Sequence, residues 1–488
     1  MSDQKNQWDS QLSFIMAMIG SAIGLGNIWR YPYVVYTNGG GAFLIPYIIS
    51  IIFMAFPYLL LEYSLGYNFK TSLPNIFKKI QSKLECVGWF ICLVPYFILM
   101  YYIVILAWDL VYFCLSFTRG WGANTDYFFT TTLLHSTTSL SGISDIIIPI
   151  LLALLVMWFI LWYISHQNLS DGIGKYSKFL IPTLVIIMVI IVFVSLTLPG
   201  ANVGYNNLFQ PNWITILDYN IWLVAAGQIL FSLSLGWGVV TTYSSYLPEG
   251  SNLIKNGLIV TISNCGFELF TAIGVFSILG FMSVNQGIPL ENLVTEGSGL
   301  IFVAFPQIFN VMGDIAYIIG PLFFLCVLFA GITTTISLLE PLTYAISNKF
   351  NINRKRTVTI LCLIGFVISI IFSTGLGNYL LTLADSFLNQ FAVLFGIILE
   401  CLIVGWLYSI DKLLNIINQN TRFKMGNIWI YFIKFIIPII FLSIWIVGLY
   451  DLFETGNILS ISVQLILALG LILGTIILSN IPEKNNTT

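Results

Sequence analysis

Apolar residues run along this chain in long blocks parted by short polar interruptions, without the strict alternation of half-buried strands. A helix that crosses a bilayer needs roughly 20 mostly apolar residues. Stretches that meet this requirement are 11–36, 41–66, 87–117, 147–165, 176–198, 219–246, 253–283, 313–347, 357–374, 378–408, 428–451 and 458–480. They predict an all-α polytopic membrane protein with about twelve transmembrane helices. Several stretches exceed a perpendicular crossing, which predicts tilt or continuation beyond the bilayer. The opening from Met1 to Gln11 is polar, and the apolar run after it is too long for a cleaved leader, so it is read as the first span.

Composition agrees. Of 488 residues, 58% are hydrophobic and 8% charged, too few charges to coat a water-soluble protein of this size. The net charge of −2 says nothing about nucleic acid and no basic run is long enough to suggest it, so no nucleic-acid partner is expected and the lipid bilayer is the expected surroundings. Seven cysteines lie in or beside apolar runs without metal spacing, and are expected as free, buried thiols. Two histidines leave no Cys/His zinc site, and no HExxH, Ser/His/Asp or cofactor motif points to an enzyme.

Lysine and arginine placement sets the expected orientation. With a cytoplasmic N-terminus, inner loops hold Lys70, Lys78, Lys79, Lys83, Lys175, Lys178, Lys349, Arg354, Lys355, Arg356, Lys412, Arg422 and Lys424, against Arg119 outside. Both ends are therefore expected in the cytoplasm of a multi-pass protein of the cell (plasma or inner) membrane. The outer connections 118–146, 199–218 and 284–312 are long, and the last contains PLENLVTEGSGLIFVAFPQIF. Its apolar stretch is too short to span and predicts a re-entrant helix over an outer vestibule.

Two spans carry helix-breaking residues at mid-depth: Gly20–Asn27 (GSAIGLGN) in the first and Phe231–Gly238 (FSLSLGWG) in the sixth. Glycine costs about 1 kcal/mol relative to alanine inside a helix. A backbone group left unpaired in hydrocarbon costs several kcal/mol. Either break alone could serve close helix packing. As a pair they occupy equivalent places in two successive five-helix blocks, the signature of an inverted-repeat transporter whose freed carbonyls suit a cation and whose helix N-termini suit an anion. The expected organisation is a cytoplasmic segment 1–10, a first repeat 11–198, an outer loop 199–218 and a second repeat 219–408. Two further helices follow in 409–480, then a cytoplasmic tail 481–488.

The stretches FIMAMIGSAIGLGNIWRYPY, NGGGAFLIPY, GQILFSLSLGWG, SNCGFE and LFAGITTTISLLEP resemble neurotransmitter:sodium symporters, the group typified by the LeuT fold, in preserved helix order over nearly the whole chain. The resemblance implies sodium-coupled symport of an amino acid into the cell by alternating access, with Na+ at two sites and no organic cofactor. A first sodium site would use Ala22, Asn27, Ser232, Asn264 and the substrate carboxylate; a second would use Gly20, Ile23, Ala330, Thr333 and Thr334. Direct contact between carboxylate and sodium would couple the two affinities.

It likewise implies that the substrate carboxylate meets Leu25, Gly26 and Tyr102, and the amino group meets Ala22, Phe231 and Ser234. Ser232 and Thr334 belong to the same contact set. Ile98, Tyr102, Phe231, Trp237, Ser337 and Leu338 would line a mostly apolar side-chain pocket, favouring a neutral, hydrophobic amino acid as partner. Gly24 stands where monoamine carriers of the family place an aspartate, which favours an α-amino acid.

Charges inside a span are costly and usually functional. By the resemblance, Arg30 and Asp385 form an outer ion pair that closes with Phe231 over the substrate, with Gln228 near the Arg30 layer. Glu268, one turn after Asn264, would supply the fixed anion that makes transport chloride-independent. Glu62 would bond unwound backbone, while Glu340 and Glu400 receive no role. At the cytoplasmic side Trp8 and Tyr246 match the family's latch, but Lys5 replaces an arginine and Asn348 an aspartate, putting a strong inner salt bridge in doubt. Gly172 and Pro182 match a motif that unwinds the fifth helix. A channel fits less well than a carrier because the breaks concentrate at two points; a sensor would lack an output domain. A homodimer is left open.

Overall fold

The computed structural model describes residues 7–294, 297–455 and 458–483, so Lys5 lies outside the described residues. Among the described residues ten helices are long and apolar enough to cross a membrane, and one bent pair, taken as a single span, makes eleven. We label these spans, with the broken sixth stretch as α6, in chain order: α1 (Gln11–Ala22 with Leu25–Thr37), α2 (Gly40–Phe69), α3 (Ser82–Ser116), α4 (Ile148–Ser165), α5 (Ser170–Thr197) and α6 (Tyr219–Ser232 with Val239–Ser245). The remaining spans are α7 (Leu253–Gln286), α8 (Gly313–Phe350), α9 (Arg354–Ser373), α10 (Gly377–Leu407), α11 (Ile428–Tyr450) and α12 (Ile458–Asn480).

The apolar blocks become helices because a helix satisfies its own backbone where no water can. Polar residues mark their ends. The Ser10 hydroxyl accepts from the Ser13 amide at 3.2 Å to start α1, and Asn252 accepts from the Lys255 amide at 2.9 Å to start α7. Several observed spans start a few residues before the predicted limits, since charged first turns such as Ser82–Cys86 belong to the helix without being apolar.

The sixth stretch, 219–246, is parted at Leu233–Gly238, inside the break expected at Phe231–Gly238, into two short helices, each too short to cross alone. The first is likewise parted at Ile23–Gly24, with its halves bent by 52°.

At the centre lies α3, largely buried, whereas α11 and α12 are mostly exposed or half-buried and form the apolar margin. Next to α3, α8 comes so close that a Cβ on Gly331 would stand 2.0 Å from the Leu106 side chain. The segment 284–312 contains the apolar helix Leu300–Val311, and Gly297 and Ser298 before it line the cavity described below. The seven cysteines are free, but Cys114 is exposed and Cys86 and Cys265 are only partly buried, because apolar runs include lipid-facing positions as well as packed ones.

Candidate functional site

The α1 break frees backbone carbonyls. In a continuous helix the amides of Gly24, Leu25 and Asn27 would bond the carbonyls of Gly20, Ser21 and Ile23. Instead Gly24 N–H donates to Asn27 Oδ1 at 2.9 Å, Leu25 N–H to the Tyr102 hydroxyl at 3.2 Å, and Asn27 N–H to the Gly24 carbonyl at 3.3 Å. Gly20 and Ile23 are two of the residues expected to hold the second sodium ion. The third and fourth sit alongside: a Cβ on Gly20 would lie 3.1 Å from Thr333 Cβ, and one on Gly24 2.9 Å from Thr334 Oγ1. Both threonine hydroxyls donate to the Ala330 carbonyl, at 2.9 and 3.1 Å, leaving their own lone pairs open. The structure brings all five residues of that set together.

The α6 break is held open by positive φ at Ser234 (52°), Gly236 (75°) and Gly238 (67°). A Cβ at Gly236 would also stand 2.3 Å from Ile397 Cγ1, so this position needs glycine twice over. The Gly236 amide donates to Glu62 Oε2 at 3.4 Å, the backbone contact expected of Glu62. Ser234 Oγ donates to the Ser21 carbonyl at 2.8 Å and bridges the two breaks. The sequence reading gave that hydroxyl to a substrate amino group; here it serves the protein backbone.

Asn27, Asn264 and Ser232 form a buried chain. Asn27 Nδ2 donates to Asn264 Oδ1 at 2.8 Å, and Asn264 Nδ2 donates to Ser232 Oγ. These are the side-chain oxygens expected around the first sodium ion, and each keeps a free lone pair. One turn on, fully buried Glu268 accepts from Gln228 Nε2 at 3.3 Å and from the Tyr47 hydroxyl. Gln228 shares a cavity wall with Arg30 as expected, but its amide is aimed at Glu268. Tyr47 escaped the sequence reading because a tyrosine in an apolar span carries no signal of its partner.

A cavity of about 410 Å³ opens beside the breaks, away from Trp8, lined by Leu25, Gly26, Ile98, Tyr102, Phe231 and Trp237 among the expected substrate contacts. Ala22, Ser232, Ser234, Thr334, Ser337 and Leu338 are buried outside that lining. Ser337 was expected to add a polar spot to the pocket. Instead its hydroxyl donates to the Thr333 carbonyl and accepts from Tyr243, both at 3.0 Å, so its hydrogen-bonding capacity turns inward. Trp237 packs edge-on against Phe231 at 5.5 Å between ring centroids, and fills volume at the cavity floor.

Arg30 and Asp385 line the cavity without forming the expected ion pair. The Arg30 guanidinium lies over the Phe231 ring at 4.9 Å, while Asp385 accepts from the Tyr101 hydroxyl at 2.7 Å and Asn389 Nδ2 at 2.9 Å. Local donors satisfy the carboxylate, and the cavity stays open between the two charges.

The Trp8 end is shut by groups the sequence reading did not combine. Trp8 is buried, with its indole N–H on the Tyr243 carbonyl at 2.9 Å and its amide on the Tyr246 carbonyl at 3.1 Å. Tyr246 donates to Glu340 at 2.9 Å, and Arg354 clasps Glu340 with two bonds of 2.6 and 2.7 Å. The ion pair at this end is Glu340–Arg354, to which the sequence assigned no role; Asn348 accepts from Thr71 and Ser72, and Lys5 lies outside the described residues. A glutamate inside an apolar span was the available signal, since it demands a partner. Gly172 lies in a wide helical turn, Ser170–Gly174, at the start of α5, and Pro182 in the helix proper.

A profile described as the sodium:neurotransmitter symporter family matches residues 5–128 and 121–458. Similar proteins include an uncharacterized sodium-dependent transporter of Methanocaldococcus jannaschii, 37% identical over 453 residues, covering 93% of this chain and 92% of that one. A sodium-dependent serotonin transporter of Drosophila melanogaster is 29% identical, covering 91% of this chain and 76% of its own. A sodium-dependent neutral amino acid transporter, B(0)AT2, of Mus musculus is 26% identical, covering 92% and 73%.

Proposed function

This chain belongs to the sodium:neurotransmitter symporter family, and we propose that it carries a neutral, mostly apolar α-amino acid into the cell with sodium, by alternating access and without chloride. The observation that carries this reading is the pair of facing breaks, with the Gly20 and Ile23 carbonyls released beside Thr333 and Thr334 and the Ser21–Ser234 bond joining α1 to α6.

Hard oxygen donors in a dry site suit an alkali cation. Two sodium sites follow, one on Gly20, Ile23, Ala330, Thr333 and Thr334, the other on Ala22, Asn27, Ser232 and Asn264. The amino acid would sit in the cavity with its carboxylate at the N-terminus of Leu25–Thr37, near Leu25, where the Gly26 amide and the Tyr102 hydroxyl offer donors. Gly24 leaves no fixed anion to compete with that carboxylate, and the mouse relative's printed substrate class supports the choice. Glu268 places a buried carboxylate one turn from Asn264, where its ionised form would balance a sodium charge in place of chloride.

On the orientation read from the loop charges, Trp8 faces the cytoplasm; that side would then be closed by Trp8, Tyr246, Glu340 and Arg354, with the cavity between Arg30 and Asp385 open to the outside. Closure of that pair over a bound amino acid, followed by release of the Trp8 latch, would complete a transport step. Equilibrium binding of labelled neutral amino acids to the purified protein tests the reading. Binding in sodium and none in choline supports it; equal binding in both contradicts it.

A further inference from the structure

The lipid-facing flank of α7 holds a groove of about 670 Å³ that the transport reading leaves unused. One wall is Lys255, Leu258, Ile259 and Ile262; the other is the loop between α10 and α11, with Arg422 and Phe423. Positions 255, 258, 259 and 262 share one helix face, so a cation at the start of α7 is followed by about 10 Å of apolar surface. This surface is open: Leu258 is 41%, Ile262 67% and Phe423 80% exposed.

Lys255 and Arg422 are exposed, and among the described residues neither has a carboxylate within ion-pair distance. The loop wall is firmly built. Asn252 Nδ2 donates to the Asn420 carbonyl at 2.7 Å, and the Asn418 side chain bonds both the amide and the carbonyl of Met425, at 2.7 and 2.9 Å. The first turn of α7 adds the positive end of a helix dipole beside the two cations.

We propose that this groove binds an anionic phospholipid, its phosphate between Lys255 and Arg422 and an acyl chain along Leu258, Ile259 and Ile262. Two unneutralised cations above an apolar stripe complement a headgroup above a hydrocarbon tail, whereas a soluble anion would leave the stripe bare. The proposal rests on residence in the membrane, not on the identity of any substrate.

Native mass spectrometry of the full-length protein, titrated with phosphatidylglycerol or phosphatidylcholine of identical acyl chains, tests it. Wild type should prefer phosphatidylglycerol, and Lys255→Gln and Arg422→Gln should each weaken that lipid about fivefold without affecting phosphatidylcholine. Lys255→Arg should retain the preference. The pair Lys355→Gln and Arg356→Gln, exposed cations elsewhere on the same side, should leave it unchanged. Equal binding of the two lipids by wild type, or an equal loss in the Lys355/Arg356 pair, overturns the proposal.

Discussion

Ser234 on α6 donates a 2.8 Å hydrogen bond to the Ser21 carbonyl on α1, so each helix break restrains the other. Ser234 sits at φ 52°, a conformation that costs a side-chain-bearing residue about 1 kcal/mol or more, and the bond helps to offset it. Ser234→Ala keeps the strain and leaves a buried carbonyl unpartnered, at about 1–3 kcal/mol. Sodium-dependent amino-acid binding should fall about tenfold, as read by titration with labelled substrate. Unchanged affinity would mean that the breaks position themselves independently.

Thr333→Val removes a hydroxyl next to Gly20 with little change of volume, and Asn27→Ala removes the amide that receives the Gly24 N–H. Both should raise the sodium concentration for half-maximal binding by about tenfold or more, the loss of one buried oxygen ligand. A sodium titration at saturating substrate measures this. Wild-type sodium dependence in both variants would remove these residues from the ion sites.

Glu268→Ser deletes the buried carboxylate that Tyr47 and Gln228 hold. Uptake should become chloride-dependent: low in gluconate and restored by added chloride, with wild type indifferent to the exchange. A variant equally active in both salts would show that the charge does not balance sodium.

Arg354→Ala leaves Glu340 buried without its cation, a loss of about 3–5 kcal/mol where one partner of a buried pair is removed. The Trp8 end should open. Ser13→Cys, at a fully buried position in the first turn of α1, should then react with a membrane-impermeant maleimide from that side about tenfold faster than in the Arg354 background. Equal rates would place the latch elsewhere.

The breaks were legible because glycine clusters inside apolar runs leave few other meanings once two of them stand at matching places. Their partners were not. Leu25 and Tyr102 lie 77 residues apart and Ser21 and Ser234 lie 213 apart, so only the packing of α1 on α3 and α6 reveals which carbonyls are freed and which are spoken for. Ser337 shows the same limit: its helical position is evident from sequence, but Tyr243 decides which way its hydroxyl points.

Charged residues were easier to find than to pair. Arg30 and Asp385 stood out in their spans, yet Tyr101 and Asn389, one on another helix and one a turn away, keep them apart in this state. Glu340, two turns before Asn348, holds Tyr246 and Arg354 at the Trp8 end; a missing carboxylate at 348 is visible in sequence, and the partners of Glu340 are not.

The most direct measurement is uptake of a labelled neutral amino acid into proteoliposomes under imposed sodium, potassium or proton gradients. Accumulation above equilibrium under an inward sodium gradient, collapsing when sodium is replaced by potassium or choline, is the predicted result. Uptake of the same size and rate without sodium would contradict the account.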